Sequence, residues 1–265
     1  EPAAVSPSAP TTPQRAVRER PTRSELVNLP TATAEQMARV DRIMMDDLGV
    51  HILQLMEVAG LAVAEAARRV LDGDVHGKRI LLLAGSGGNG GDALVAARHL
   101  LAWGARPEAV LSKPVEDLPG VTAHQCRLAR ATGVPVGKPS DRPEGKEYDL
   151  IVDGLLGFSG RGNPRGGVAE LIRFANNHPA PVLAIDLPSG LDATTGGVGD
   201  PCIRAYATIA LVLPKQGFLS PEAREVCGEV TVATIGVPPP VLERAGVTVS
   251  PALFSKGSAV RWIAT

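Results

Sequence analysis

Short, continuously apolar runs alternate with helical segments along much of the chain, and this alternation limits the folds open to it. The apolar runs cover residues 79–83, 109–111, 150–152, 182–185, 208–213 and 230–233. Helical patterns at 92–101, 121–131 and about 168–176 separate the first four runs. A strand that is apolar at every position is covered on both faces. The pattern therefore predicts a parallel sheet between two layers of helices.

Two helices are expected ahead of the first strand. Thr33 stands three residues before Gln36, which is the spacing of a capping box, and apolar residues then recur every three or four positions up to Gly49. A second amphipathic pattern runs from about residue 52 to 71. The predicted fold class is therefore α/β: a Rossmann-like, three-layer αβα sandwich with a mostly parallel sheet, preceded by two N-terminal helices.

Composition divides the chain into two parts. Residues 1–30 are rich in Pro, Ser, Thr and Arg, with almost no apolar periodicity, so we expect a disordered leader. This stretch lacks the apolar segment of a secretory signal. Residues 31–265 are predicted to form a single domain, in which the pattern from residue 241 onward is too weak to assign elements.

The charge balance argues against a nucleic-acid-binding protein. The chain has 27 Lys and Arg against 28 Asp and Glu, and its formal net charge is −1, whereas nucleic-acid binders carry an excess of basic residues.

Its three cysteines are scattered without metal-ligand spacing. No apolar run approaches the roughly 20 residues that span a bilayer. We therefore expect a cytoplasmic protein that binds neither nucleic acid nor membrane.

Polar residues follow three of the predicted strands, at the edge where doubly wound sheets bind their ligands. They are Asn89 and Asp92 after the first run, Asp153 after the third, and Asp186 and Ser189 after the fourth. The stretch 85–92 is also rich in glycine, so its backbone N–H groups can approach a phosphate at a helix N-terminus. A carboxylate that ends a buried strand is unfavourable unless it is paired or used. These features predict a nucleotide site at this edge.

The glycines alone leave other functions open. The spacing of Gly85, Gly87 and Gly90 matches the dinucleotide fingerprint of oxidoreductases. In those enzymes an acidic residue after the second strand holds the ribose, whereas Ser112 and Lys113 stand there in this chain. A tight turn from strand to helix, with no ligand, would explain the same glycines.

Six blocks of sequence, in order, resemble the NAD(P)H-hydrate epimerases, also called the YjeF N-terminal domain family. They are 55–60 (LMEVAG), 85–100 (GSGGNGGDALVAARHL), 153–157 (DGLLG), 186–190 (DLPSG), 214–217 (PKQG) and 235–238 (IGVP). The resemblance covers nearly all of residues 33–238. It implies an isomerase that interconverts the two C6 epimers of hydrated NADH and NADPH, so that a partner dehydratase repairs the S form.

The resemblance also implies the site residues. Those implied to bind substrate are Gly88, Asn89, Gly90, Gly91, Asp92, Gly157, Phe158, Ser159, Gly160, Arg161, Gly162, Asn163 and Asp186. Those implied to hold a potassium ion are Asn89, Asp153 and Ser189. Asp186 is implied to face the reacting ring, and we hypothesise that it is the general acid/base. The reaction would proceed by loss and return of water at C6 or by ring opening, and the sequence leaves both routes open.

Two positions depart from the family's usual signature: Gly88 replaces an Asn and Ala93 replaces a Gly. The polar residues retained around them favour an active enzyme. The chain ends before the fused dehydratase domain of many relatives would begin, so we expect a separate dehydratase. A homodimer is also expected, and Met37, Met44, Met45 and Met56 are available for its interface or for the core. The alternatives are a non-catalytic binding or scaffold module of the same fold and an NAD(P)-dependent oxidoreductase.

Overall fold

A nine-stranded sheet forms the middle layer of the protein in the computed structural model, which describes residues 26–141 and 145–263. The strands are β1 (Leu26–Val27), β2 (Arg79–Ala84), β3 (Arg106–Leu111), β4 (Val136–Gly137), β5 (Leu150–Gly154), β6 (Val182–Ile185), β7 (Ala207–Leu211), β8 (Glu229–Ala233) and β9 (Ala259–Trp262). Their spatial order is β1-β9-β8-β7-β6-β5-β2-β3-β4. Neighbouring strands are parallel, except that β8 and β9 are antiparallel.

Helices cover both faces of this sheet. They are α1 (Ala34–Arg42), α2 (Ile52–Val70), α3 (Gly88–Ala102), α4 (Gly120–Ala131), α5 (Gly166–Asn177), α6 (Pro221–Cys227) and α7 (Pro239–Arg244). In β2, Ile80 and Leu82 pack with α2, α3 and α4, whereas Leu81 and Leu83 pack with α5 on the other face. Successive side chains of a strand point to opposite faces, which explains the continuously apolar run. The predicted αβα sandwich is confirmed.

The predicted capping box at the start of α1 is also confirmed. Oγ1 of Thr33 accepts the Gln36 N–H at 3.1 Å, and Oε1 of Gln36 accepts the Thr33 N–H at 2.9 Å. A π-helical turn, Ile43–Asp47, extends α1. Three of the candidate interface methionines, Met37, Met44 and Met56, are buried within the chain. Among the described residues, no helix is both long enough and apolar enough to cross a membrane.

The structure adds elements at one edge of the sheet that the sequence patterns did not predict. Strand β1 lies within residues 1–30, the predicted leader, and pairs in parallel with β9. Order therefore begins earlier than residue 31, while residues 1–25 of that prediction lie outside the described residues. Strand β9 lies in the weakly patterned region after residue 241. Because β9 is mostly half-buried, it lacks the continuous apolar run that marks the central strands.

The order of the strands reverses between β2 and β5. The chain proceeds from β2 through β3 to β4 at one edge, and β5 then returns to pair with the other side of β2. In doubly wound sheets, ligands bind outside the carboxyl ends of the strands at such a switch point. The loops that follow β2, β5 and β6 therefore border the candidate site.

Close packing between α2 and α3 depends on a glycine. A Cβ atom on Gly60 would lie 2.3 Å from Cγ1 of Val95, a distance that requires one helix to shift. We expect Gly60→Ala to lower the free energy of unfolding by about 1–3 kcal/mol, the usual result of overpacking a core. Urea denaturation measures this change. Gly257→Ala is the control, because a Cβ there meets nothing within 4 Å; equal urea midpoints for the two variants would contradict the prediction.

Candidate active site

The loops that follow β2 and β5 touch each other through glycines. A Cβ atom on Gly85 would lie 1.8 Å from the carbonyl oxygen of Leu155, and one on Gly90 would lie 1.9 Å from that of Gly85. Gly87 and Gly88, in contrast, have nothing within 4 Å of such an atom and are exposed. Some of these glycines therefore permit the contact between chain segments, and others leave an accessible backbone at the start of α3.

The side chain of Asn89 connects three strand ends. It lies in the first turn of α3, because the helix begins at Gly88, four residues earlier than the predicted start at residue 92. Its Nδ2 donates to the carbonyl oxygens of Leu156 at 2.9 Å and Ile185 at 2.8 Å. The loops after β2 and β5 and the end of β6 are thus held together by one amide.

Asp153 and Ser189 form a buried pair beside this amide. The Ser189 hydroxyl donates to Oδ1 of Asp153 at 2.6 Å, and the Ser189 N–H donates to Oδ2 at 2.8 Å. The Ser189 hydroxyl oxygen also accepts the N–H of Leu156 at 2.8 Å. Burial raises the pKa of Asp153 to about 6, although hydrogen bonds from Ser189 and Leu155 act in the opposite direction. The three predicted potassium ligands are therefore brought together around Leu156.

Asp186 follows β6 and forms an ion pair with a residue that the sequence patterns did not single out. Its Oδ1 lies 2.5 Å from Nζ of Lys215, and both side chains are buried. The same oxygen accepts the N–H of Leu211 at 3.3 Å. The other oxygen, Oδ2, is buried without a hydrogen-bond partner among the described residues. A signal for Lys215 was present, since a lysine two residues after a buried apolar run is as unfavourable as a carboxylate there.

Two further carboxyl groups interact with Asp186. Burial raises the pKa of Asp92, in α3, well above its ordinary value, and the charges of Asp186 and Asp41 add to this effect. Burial and then the charge of Asp186 raise the pKa of Asp41, in α1, to about 6, while Lys215 opposes the shift. Asp186 is therefore accompanied by two further carboxyl groups and one ammonium group. Asp41 was not predicted, because only the fold places α1 beside the end of β7.

The loop after β5 borders a cavity of about 250 Å³. Of the predicted substrate-binding residues, the cavity is lined by Gly157, Gly160, Arg161, Gly162 and Asn163. Segments around Pro188 and Val198 line its other side. The loops that follow β5 and β6 therefore share the cavity, and Pro188 in its wall lies close to Asp186 in the chain.

Two residues of this loop have other contacts, and a third is exposed. Phe158 packs against the apolar clusters that contain α1 and α6. The Arg161 guanidinium donates to the carbonyl oxygens of Phe158 and Gly160 at 3.0 and 2.9 Å. Ser159 is exposed and does not line the cavity. The structure thus places Phe158 partly in the core and folds Arg161 back on its own loop.

The two departures from the family signature lie in different surroundings. Gly88 is exposed and has open space around it. Ala93 is fully buried within α3, and a Cβ on Gly154 would lie 2.7 Å from its methyl group. Ala93 lies inside α3, and a helical residue accommodates a methyl group without backbone strain.

The end of β3 carries no carboxylate. Ser112 follows this strand, and its buried hydroxyl has no hydrogen-bond partner among the described residues, while Lys113 is exposed. In NAD-dependent dehydrogenases an acidic residue at this position holds the ribose. The geometry here therefore does not favour the oxidoreductase alternative.

Comparisons with known proteins decide the family. The sequence profile described as YjeF-related protein N-terminus matches residues 52–217, which is more than half of the chain. The chain belongs to this family. A protein of Dehalogenimonas lykanthroporepellens named NAD(P)H-hydrate epimerase is 36% identical over 235 residues, which make up 88% of this chain and 93% of the relative.

Two further relatives extend the comparison. The Bifunctional NAD(P)H-hydrate repair enzyme Nnr of Moorella thermoacetica is 35% identical over 78% of this chain, but the match covers only 40% of that enzyme. The crystal structure of the yeast protein ynu0 matches with a TM-score of 0.72 at 28% identity, covering 88% of this chain and all of the yeast chain. The YjeF-type fold is therefore shared along nearly the whole described chain.

The raised pKa of Asp41 has a consequence for stability. A carboxyl group whose pKa is higher in the folded state than its ordinary 3.8 binds its proton more tightly there, so stability falls as the pH rises from about 4 to 6. In Asp41→Asn this loss is expected to be smaller by about 1–3 kcal/mol. Chemical denaturation between pH 4 and 7 measures it. The control is Asp46→Asn, which alters an exposed carboxylate nearby; parallel curves for wild type and Asp41→Asn would refute the prediction.

Proposed function

We propose that this protein catalyses epimerisation at C6 of hydrated NADH and NADPH. Membership of the family supports this, as do relatives named NAD(P)H-hydrate epimerase that match it over most of their length. The observation that carries the proposal is the carboxylate of Asp186. One of its oxygens is held by Lys215, and the other is buried without a partner among the described residues. Such an oxygen is suited to accept or donate a proton at a bound substrate.

The nucleotide is proposed to lie across the switch point. The exposed backbone at Gly87 and Gly88, at the positive end of α3, suits a phosphate group. The cavity beside Gly157 and Gly160 offers a second contact surface next to the end of β6. Binding at both places sets the nicotinamide near Asp186, which is how enzymes convert an intermolecular proton transfer into an oriented one.

Asp186 then moves a proton at the C6 hydroxyl group. In the route through dehydration, the protonated carboxyl group donates to the hydroxyl, water leaves and an N1=C6 iminium forms; the carboxylate then takes a proton from water that adds to the opposite face. In the route through ring opening, the carboxylate takes the hydroxyl proton, the C6–N1 bond breaks and N1 receives a proton. Closure on the other face completes epimerisation. Both routes require Asp186 to act at the same oxygen.

A potassium ion is proposed to bind beside this carboxylate. The oxygen atoms of Asp153, Ser189 and Leu156 lie within one hydrogen-bonded group, to which Asn89 is attached. Carboxylate, hydroxyl and carbonyl oxygens are suitable donors for a hard cation, and the fully buried Asp153 carboxylate calls for a positive charge. The residues present therefore fit the ion. When bound, potassium supplies the charge that offsets Asp153 and orders the two loops.

The nucleotide produced is proposed to be used by a dehydratase acting on one epimer. One curated relative is named a bifunctional repair enzyme, and the chain matches 40% of its length. This name supports a repair role in which epimerisation and a second activity occur in sequence. A homodimer is proposed on the family resemblance, and a cytoplasmic location is proposed on the three free, buried cysteines.

Replacing Asp186 tests the proposed reaction. Asp186→Asn keeps the shape of the side chain but cannot exchange a proton, so we expect the epimerisation rate constant kcat to fall by about 10²–10⁴-fold. Proton NMR or chiral chromatography of the pure R epimer of hydrated NADH follows the conversion to S. Binding of NADP⁺ checks that the nucleotide site is retained. Full activity in Asp186→Asn, or no acceleration by the wild type, would contradict the proposal.

Potassium binding is tested by stability. At saturating concentration, KCl is expected to stabilise the protein by about 1–3 kcal/mol relative to the same concentration of tetramethylammonium chloride, because the ion binds only the folded state. Thermal unfolding in both salts measures this. The difference should disappear in Ser189→Ala and persist in Ser255→Ala, which alters an exposed hydroxyl elsewhere. Equal melting temperatures of the wild type in the two salts would exclude the ion.

A further inference from the structure

Lys215 is buried completely and all its donors are used. Its Nζ donates to the carbonyl oxygens of Leu211 at 3.0 Å and Leu213 at 2.9 Å, and it lies 2.5 Å from Oδ1 of Asp186. An ammonium group has three donors, so each has an acceptor. Burying such a group is unfavourable, and an apolar side chain of similar volume would often serve stability equally well. The pair therefore calls for an explanation beyond folding.

The lysine joins two strained turns. After β6, the Leu187 N–H donates to the carbonyl oxygen of Ile185 at 2.8 Å, and Asp186 between them has φ +68°. The same arrangement follows β7, where the Leu213 N–H donates to Leu211 at 2.8 Å and Val212 has φ +68°. Three-residue turns with positive φ are rare, particularly for a β-branched residue. Strain of this kind persists only where surrounding contacts hold it, and it concentrates at functional sites.

The ion pair makes the two oxygens of Asp186 different. Oδ1 receives Lys215 and the Leu211 N–H, whereas the buried Oδ2 has no partner among the described residues. Buried polar atoms in folded proteins are nearly always hydrogen-bonded. A pair that served only stability would be expected to satisfy both oxygens, so the open oxygen indicates a place for a ligand.

Lys215 is also the positive group that balances the site. Asp41 approaches from α1 and Asp92 from α3, and both interact electrostatically with Asp186. Like charges disfavour an ionised carboxylate, and an adjacent ammonium group favours it. Without Lys215, the buried Asp92 and Asp186 and the half-buried Asp41 would repel one another with no positive charge between them.

We propose that Lys215 is the positioning residue for Asp186. It binds Oδ1 and stabilises the negative charge of the carboxylate, and so leaves Oδ2 for the C6 hydroxyl of the substrate. This inference rests on the proposed epimerase function. Lys215 itself does not touch the substrate. It acts by joining the ends of β6 and β7, so that the free oxygen keeps one direction and the ionised form of the carboxylate is favoured between proton transfers.

The test is Lys215→Met in the full chain. We expect kcat for epimerisation of hydrated NADH to fall by at least about 100-fold while KM changes less than about threefold, because orientation and charge of a proton-transfer group act on the chemical step. The acidic limb of the pH–rate profile should move to higher pH. Lys215→Arg, which restores the charge, should recover about tenfold of the loss.

Lys78→Met is the matched control. Lys78 lies 3.2 Å from Asp149 in an ion pair next to the start of β2, at the opposite end of that strand from the site. Its loss should leave kcat and the pH profile unchanged. A purely structural role for Lys215 would lower the melting temperature of Lys215→Met without moving the pH profile. If folded Lys215→Met has the kcat and the pH–rate profile of the wild type, the inference is overturned.

Two results separate this inference from the proposed function. If the wild type does not epimerise hydrated NADH, both the proposed function and the role of Lys215 are refuted. If the wild type and Lys215→Met are equally active, only the role of Lys215 is refuted. If Lys215→Met does not fold, a crystal structure of the wild type with NADP⁺ replaces it. The inference expects Oδ1 of Asp186 on Lys215 and Oδ2 toward the nicotinamide; an Asp186 side chain turned away from Lys215 would overturn it.

Discussion

The site depends on the close approach of two backbone segments at the switch point of the sheet. The loops after β2 and β5 touch at Gly85 and Leu155, and a single added carbon at Gly85 would lie 1.8 Å from a carbonyl oxygen. This approach brings Asn89 within hydrogen-bond distance of Leu156 and Ile185. Without this close approach, no single side-chain amide would link the ends of β2, β5 and β6. Glycine is required there because any side chain would separate the loops.

A second constraint is electrostatic. The fold brings the half-buried Asp41 near the buried Asp92 and Asp186, and the charge of Lys215 opposes the repulsion among them. Such a group is unfavourable for stability, as the raised pKa of Asp41 indicates. It is useful in catalysis, because carboxyl groups of different pKa can hold and release protons near neutral pH. The strained backbone at Asp186 and Val212 belongs to the same arrangement.

Much of the fold and part of the site followed from local patterns. The apolar runs predicted the central strands because each is covered on both faces, and the Thr33–Gln36 spacing predicted the start of α1. The predictions were less accurate where long-range pairing decides. Helix α3 begins at Gly88, although glycine disfavours helices, and β1 pairs with the distant β9. The ion pair of Lys215 was not predicted because its partner, Asp186, lies 29 positions away in the chain.

The sequence by itself determined the αβα class, the edge of the sheet that carries polar residues, and the resemblance to the NAD(P)H-hydrate epimerases, which indicates the reaction. These depend on periodicity and on the residues at strand ends, which are local properties. Only the tertiary structure decided which oxygen of Asp186 is free, that Lys215 holds the other, and that Asp41 approaches from α1. Those features depend on distances between segments far apart in the chain, and burial sets their energies only after the segments have packed.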